Sequence, residues 1–291
     1  MIHSLTSVWA RLSGAGISVT NALMSGGPLP AQLFEAMDDM AAHARELDCR
    51  IIIDAEQQAL QQSIDQVAVG LMRKHNKDKV LIVNTLQAYL KEAKHKLAHQ
   101  VALAQDQGWI LAIKLVRGAY INNEMRDRIH ATKADTDQCY NDIVASILTG
   151  TAAATGAHAA NKSPRVELLI AGHNSESVDR ALHMVQQLSR RKQLKTTPEF
   201  GQLQGMADNL SGTILQHNDR LGPAGGQAQE RSWPAVKVYK YMTWGTVQEC
   251  MEYLVRRAVE NRGAADRLRA DMRMMAGELK TRVVASLTGR H

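Results

Sequence analysis

The sequence predicts an α/β fold in which parallel strands wind into a barrel, and three observations predict it. Short β-branched runs recur along the chain, each followed by a longer stretch of helical periodicity, which is the pattern of βα units. Each run ends in residues with chemical capacity. Neither a GxGxxG turn nor a GxxxxGK turn followed by Ser or Thr occurs, so a nucleotide cofactor, if bound, is not held by either device.

Six runs are legible as strands: Arg50 to Asp54, Val80 to Thr85, Ile110 to Val116, Val166 to Ala171, Glu199 to Leu203 and Val236 to Tyr241. Each is nearly all apolar, as expected of strands covered on both faces. Helices are expected over Ala55 to Arg73, Ala88 to Gln107, Asn123 to Leu148, Ser175 to Ser189 and Thr246 to Arg262, with loops at Gly150 to Asn161 and Gly222 to Gln229. The strand ends carry Asp54, Gln87, Arg117 with Tyr120, His173 with Asn174, Gln202, and Lys240 with Tyr241. An open doubly wound sheet needs such residues only beside its switch point, whereas a closed barrel aims all its strand ends at one mouth. The barrel is therefore favoured. Before Arg50 only Ile17 to Val19 looks strand-like, and Gln32 to Leu47 reads as a helix with Leu33, Met37, Met40 and Ala44 on one stripe. Residues 1–48 are thus expected to form an atypical, largely helical segment, partly disordered at its start, ahead of a barrel domain at 49–291.

Composition narrows the function classes. A chain of 291 residues that is 45% hydrophobic can bury one large core. Its longest apolar runs fall far short of the roughly 20 residues a membrane-crossing helix needs. The net charge of +6 is spread among 29 acids rather than gathered in a patch, which argues against nucleic-acid binding. Cys49, Cys139 and Cys250 are far apart and show no metal-ligand spacing. The stretch from Met1 to Phe34 lacks acids, as organelle transit segments do, but offers only Arg11 as a firm cation.

The last expected helix, TVQECMEYLVRRAVENR, gathers Tyr253, Arg256, Arg257 and Glu260 within an arc of about 100°, opposite Val247, Met251, Leu254, Val255 and Ala258. Two readings are open: a solvated polar face with an Arg256–Glu260 pair, or two planar guanidinium forks that clamp a substrate carboxylate. Asp54 either caps the helix that follows it or belongs to a pocket. Lys114 sits mid-strand, where a buried charge needs an anionic partner.

The segments KVYKYMTWG and YLVRRAVEN, with IDAEQ from Ile53, NTLQAYL from Asn84, IKLVRGAY from Ile113, GHN from Gly172 and FGQLQGMAD from Phe200, stand in the order found in the proline dehydrogenase family, which the chain resembles from Arg50 to about Arg262. The resemblance implies a (β/α)8 barrel and FAD-dependent oxidation of L-proline to 1-pyrroline-5-carboxylate, with electrons passed to a quinone. It further implies a mitochondrial setting, peripheral to the matrix side of the inner membrane. By resemblance, Arg256 and Arg257 pair with the proline carboxylate, and Asp54, Leu203, Tyr241 and Tyr253 line the pocket. Flavin contacts are implied for Gln87, Lys114, Val116, Gly118, Tyr120, His173, Asn174 and Glu260, with Gly118 letting backbone approach the cofactor. Retention of Tyr241 favours proline over hydroxyproline. The sequence departs from the family at Thr243, where a proline is usual, and at Gly172, where Thr or Ser is usual. Two family strands before IDAE, one ending in a glutamate and one bearing a lysine, have no legible counterpart. The barrel is therefore expected to lack its first two strands and to lie open, with Arg50 to Asp54 and Val236 to Tyr241 as unpaired edges, and a catalytically silent remnant is the rival reading.

Overall fold

In the computed structural model, residues 6–121, 123–153, 165–219, 233–248, 250–251, 254–255 and 276 are described. Among the described residues seven parallel strands, β1 Ser7–Ala10, β2 Arg50–Ile53, β3 Ile82–Gln87, β4 Leu111–Val116, β5 Val166–Ala171, β6 Glu199–Leu203 and β7 Lys237–Tyr241, lie side by side in chain order. Sequential order with parallel pairing demands a crossover between each pair of strands. Helices supply them: α1 Ile17–Ser25 and α2 Ala31–Glu46 between β1 and β2, then α3 Gln58–His75, α4 Ala93–Gln107, α5 Lys133–Thr149, α6 Ser175–Arg190 and α7 Asp208–Asp219. No helix among the described residues is long and apolar enough to cross a membrane.

Side-chain alternation divides the interior into two compartments. Outward-facing residues of the strands join the helices in the main core, which includes Ile51, Ile53, Ile82, Leu111, Ile113, Leu168, Ile170 and Phe200. A smaller cluster of Ile52, Val80, Val83, Ile110, Ala112 and Leu169, with Trp9 and Tyr239 against it, fills the inside of the curl. Strands covered on both faces in this way must be apolar along most of their length, which is why all six expected runs appear within two residues of their expected bounds.

Curling is measured by contacts across the sheet. With neighbouring strands about 4.8 Å apart, β2 and β6 would be roughly 19 Å apart if the sheet were flat. Instead Arg50 in β2 meets Glu199 in β6 at 2.7 Å, each side chain only 17% exposed. Arg50 also lies over the Tyr239 ring, whose hydroxyl donates to Glu199 at 3.1 Å. Burial, followed by the nearby Glu199 charge, pushes the Tyr239 hydroxyl up to about 12. At the other end of the strands the Trp9 ring of β1 approaches the Tyr241 ring of β7 to 3.5 Å. The first and last strands thus meet through side chains.

Upstream of Arg50 the structure corrects the sequence reading. Ile17 to Val19 begins helix α1, and the strand there is Ser7–Ala10, paired with β2 from Ser7 opposite Arg50 to Ala10 opposite Ile53. β2 is therefore an internal strand, not an open edge; one of the two strands expected to be missing is present. Among the described residues, the edges without a strand partner are β1 and β7. Residues 6–48 contribute β1, α1 and α2 to the same sheet-and-helix layer. Helix α2 buries Leu33, Met37, Ala41 and Ala44, while Met40 is 42% exposed, so its stripe runs through Ala41 instead.

Three helices start later than their periodicity suggests, each for a local reason. After β3 the N–H groups of Ala88 and Tyr89 still bond to Val116 and Arg117 carbonyls, which delays α4 to Ala93. Before α5 the Arg126 guanidinium gathers the carbonyls of Ile129, His130 and Ala131 into a compact turn, and a Thr132–Asp135 capping box then opens the helix at Lys133. After β2 the residues before α3 are drawn into the strand-end cluster described below. At the C-terminal side, Val247, Met251, Leu254 and Val255 are at least half exposed, so the apolar stripe expected there is open among the described residues.

Because the Arg50–Glu199 pair joins strands four apart inside the curl, Glu199→Ala leaves a mostly buried guanidinium without its carboxylate. Urea denaturation is expected to show a loss of about 3 kcal/mol. Glu199→Gln, which keeps a hydrogen-bond acceptor, is expected to lose less.

Candidate active site

The C-terminal ends of the strands converge on one mouth, and a charge pair lies at its centre. Lys114, on β4 with its side chain 12% exposed, donates to Asp54 Oδ1 at 2.6 Å across from the end of β2. The Lys114 ammonium also lies 4.7 Å from the centroid of the Trp9 ring, on the inner face of β1. Trp9 in turn stacks on Tyr241. A mostly buried cation is thus stabilised by a carboxylate on one side and an aromatic face on the other. Asp54 does not cap α3, whose N-cap is Gln57 without a side-chain hydrogen bond. Sequence analysis required an anion for Lys114, and Asp54 supplies it.

Around this centre the exits of β1, β2 and β4 are tied together. Arg11, one residue past β1, donates to Glu56 Oε2 at 3.1 Å and to the Tyr120 hydroxyl at 3.3 Å. Glu56 is 2% exposed and also accepts from the Ser13 backbone N–H at 3.0 Å and from the Ser13 hydroxyl. Burial works against the Arg11 charge, but Tyr120, Glu56 and Asp54 outweigh it and hold its pKa above the usual arginine value. Gln87, 3% exposed at the end of β3, donates to the Glu56 carbonyl at 3.3 Å, so its amide is bound to this cluster. Glu124 closes the loop after β4 by accepting from the Gln58 backbone N–H and the Tyr89 hydroxyl, both at 3.1 Å. Burial first, and the Glu124 charge second, raise the Tyr89 pKa well above the ordinary phenol value.

Gly118 sits in this loop at φ +142°, and a Cβ there would come within 2.6 Å of Tyr89 Cγ. Packing against Tyr89 therefore demands glycine by itself, whatever lies in the mouth. Gly172 is different: a Cβ would meet Arg117 Nη1 and the Tyr140 hydroxyl only at 3.6 Å, so the site has room for the usual Thr or Ser.

At the ends of β5 and β6 the groups are polar and oriented. The Leu203 backbone N–H donates to His173 Nε2 at 3.0 Å, which fixes the ring and, in its neutral form, puts the proton on Nδ1. Asn174 caps α6 by accepting from the Ser177 N–H at 2.9 Å. Arg117 lies over the Tyr140 ring at 4.3 Å and donates to the Ser177 hydroxyl at 2.8 Å and to Asp137 at 2.7 Å, which holds its guanidinium beside the first turn of α6. A helix N-terminus and an anchored cation at one place favour an anionic group.

The structure thus brings together Asp54, Gln87, Lys114, Val116, Gly118, Tyr120, His173, Asn174, Leu203 and Tyr241 at consecutive strand ends. Val116 and Leu203 close β4 and β6 on the same face as Lys114 and Glu199. Gln202 faces the other way, accepting from the Ser211 hydroxyl of α7 at 3.0 Å, and Lys240 donates to Asp208 at 2.6 Å, outside the mouth. Tyr253, Arg256, Arg257 and Glu260 lie outside the described residues. Sequence reasoning missed Trp9, Arg11 and Glu56. The signal was the RLS triplet after VWA, whose Arg and Ser both reach Glu56.

The Asp137 anchor is pH-sensitive with a definite sign. Burial works against its charge, but hydrogen bonds from Lys133 and Arg117 outweigh it and hold the carboxyl below the usual aspartate value. A carboxyl whose folded pKa is depressed contributes its full stability above the unfolded value of about 3.9 and loses it as pH falls through the lower folded value. Asp137→Asn is expected to cost about 1 kcal/mol at neutral pH and nothing below that window, so urea denaturation of the two proteins should converge in acid.

Comparison with known proteins bears on most of the chain. The family model described as proline dehydrogenase matches residues 3–270. A probable mitochondrial proline dehydrogenase of Schizosaccharomyces pombe is 30% identical over 259 residues, covering 87% of this chain and 50% of that protein. The human mitochondrial proline dehydrogenase 1 is 33% identical over 238 residues, covering 79% of this chain and 35% of that protein. The chain therefore spans half or less of the length of these relatives. Among solved structures, proline utilization A from Bdellovibrio bacteriovorus, inactivated by N-propargylglycine, superposes with a TM-score of 0.68 at 19% identity over 91% of this chain and 25% of that one, a likeness of fold. With a family model matched over most of its residues and the parallel strand ends gathered as described, the chain belongs to the proline dehydrogenase family.

Proposed function

We propose that this chain oxidises L-proline to 1-pyrroline-5-carboxylate with FAD as its cofactor. The observation that carries the reading is the Lys114–Asp54 pair at the centre of a mouth built from consecutive strand ends, in a chain matched by the family over residues 3–270.

The donor set fits a flavin dinucleotide. A diphosphate needs fixed donors and positive potential, which the N-terminus of α6 and the anchored Arg117 offer. A flat ring system needs apolar walls and a few donors, for which Val116, Leu203, Lys114 and His173 are suited. The buried Trp9 Nε1 has no hydrogen-bond partner among the described residues, so the inner wall also holds an uncommitted donor. FAD, when bound, supplies the acceptor for the hydride.

The remaining work is positional and falls to the chain. Proline is a zwitterion; Asp54 attracts its ammonium side, and Lys114 holds the Asp54 carboxylate in place. Tyr241, braced by Trp9, bounds the pocket on the β7 side. The carboxylate of proline is assigned to Arg256 and Arg257, with Tyr253 beside it and Glu260 toward the cofactor, on the strength of the family motif alone. Two guanidinium forks fix both carboxylate oxygens and so orient the reacting C–H bond. Transfer of electrons to a quinone, at the matrix side of the mitochondrial inner membrane, completes the reading; the relatives named above are mitochondrial by name.

The test is a visible spectrum of the purified 291-residue chain. Flavin absorbance that bleaches on anaerobic addition of L-proline is the expected result, with the bleaching lost in Arg257→Met. A chain that stays colourless after incubation with FAD and shows no proline-dependent change contradicts the reading and favours a catalytically silent relative.

A further inference from the structure

We infer that Trp9 sets the depth of the substrate pocket and thereby the ring size of the cyclic amino acid that enters it, an inference that rests on the proline-oxidising reading above. Strand β1 turns Val8 and Ala10 outward to the main core and Trp9 inward, where it packs with Ile52, Val83 and Ala112 in the inner cluster. On the facing strands some inward positions are small, Ala112 in β4 and Ala171 and Gly201, which pair in register in β5 and β6, while Leu169 lies inward between them. A Cβ on Gly201 would lie 3.4 Å from Leu169 Cδ1, within the same interior. Small residues on one side and the largest side chain on the other are the complement expected of a filled barrel interior. The indole is the piece that does the filling.

Its contacts place it against the chemistry. The ring lies 4.7 Å from Lys114 Nζ and 3.5 Å from the Tyr241 ring, so it touches both the ion pair and the tyrosine assigned to the pocket wall. Removing it opens space directly beside Lys114 and frees Tyr241 to tilt inward. A pocket with the indole in place is shallow and suits a five-membered ring; without it, a six-membered ring fits. One methylene in an apolar pocket is worth about 10-fold or more in discrimination.

The experiment titrates L-proline and its six-membered homologue L-pipecolate into the full chain by calorimetry, for the wild type, Trp9→Phe and Trp9→Ala, with circular dichroism to confirm folding. The wild type is expected to bind proline more tightly than pipecolate by about 10-fold, Trp9→Phe to hold that preference, and Trp9→Ala to lower it by about 10-fold through tighter pipecolate binding. An unchanged ratio in folded Trp9→Ala, with proline still bound, overturns the inference and leaves the proline reading standing. A wild-type chain that binds neither ligand overturns both. Should Trp9→Ala fail to fold, the same ratio measured on Trp9→Leu decides the matter.

Discussion

The arrangement at the mouth depends on one ion pair inside a curled parallel sheet. Lys114 on β4 and Asp54 at the end of β2 are separated by β3, and their 2.6 Å contact spans the inner face of the sheet across that strand. Each charge would be costly at this depth without the other. The Trp9 ring covers the lysine and touches Tyr241, which links the first strand to the last. Site geometry and sheet curvature are therefore one constraint.

A second pair, Arg50 with Glu199, plays the corresponding part at the N-terminal ends of the strands. Between the two pairs lies the apolar inner cluster, so the interior alternates charged, greasy and charged along the strand direction. The lower pair has Tyr239 stacked on it and serves cohesion, whereas the upper pair opens on the mouth. Their different surroundings, not their chemistry, separate a pair that serves cohesion from the pair proposed to serve the site. This division also matches the rule that catalytic groups of parallel barrels gather at the C-terminal ends of strands.

Most of the fold was legible because strands buried on both faces read as unbroken apolar runs. β5 and β6 were found with their bounds intact, and β2, β3, β4 and β7 within two residues. Strand β1 was not, since a four-residue strand with a single β-branched residue owes its conformation to pairing with β2 rather than to propensity. Its loss from the reading hid Trp9 and Arg11, and with them the stacking that braces Tyr241. The strand-end pattern singled out Asp54, His173 and Asn174, and the cost of a buried charge singled out Lys114 mid-strand, but neither could reveal that Asp54 is the partner Lys114 needs, because the two are 60 residues apart. Gly118 carried a cofactor explanation in the sequence; the Tyr89 ring gives it a packing reason visible only in three dimensions. Gln202 and Lys240 looked like mouth residues from their positions, but period-two alternation sends Gln202 outward, and Lys240 reaches Asp208 instead.

Family membership and local geometry converge on a site whose centre is the Lys114–Asp54 pair, and the claim that this pair serves ligand binding as well as cohesion is open to direct measurement. A double-mutant cycle with Lys114→Met, Asp54→Asn and the combined variant, read by calorimetric titration of L-proline, separates the two roles. The account predicts that each single change weakens proline binding about 10-fold or more and that the double variant is weakened by clearly less than the product of the two. Proline affinity unchanged in all three folded variants would contradict it.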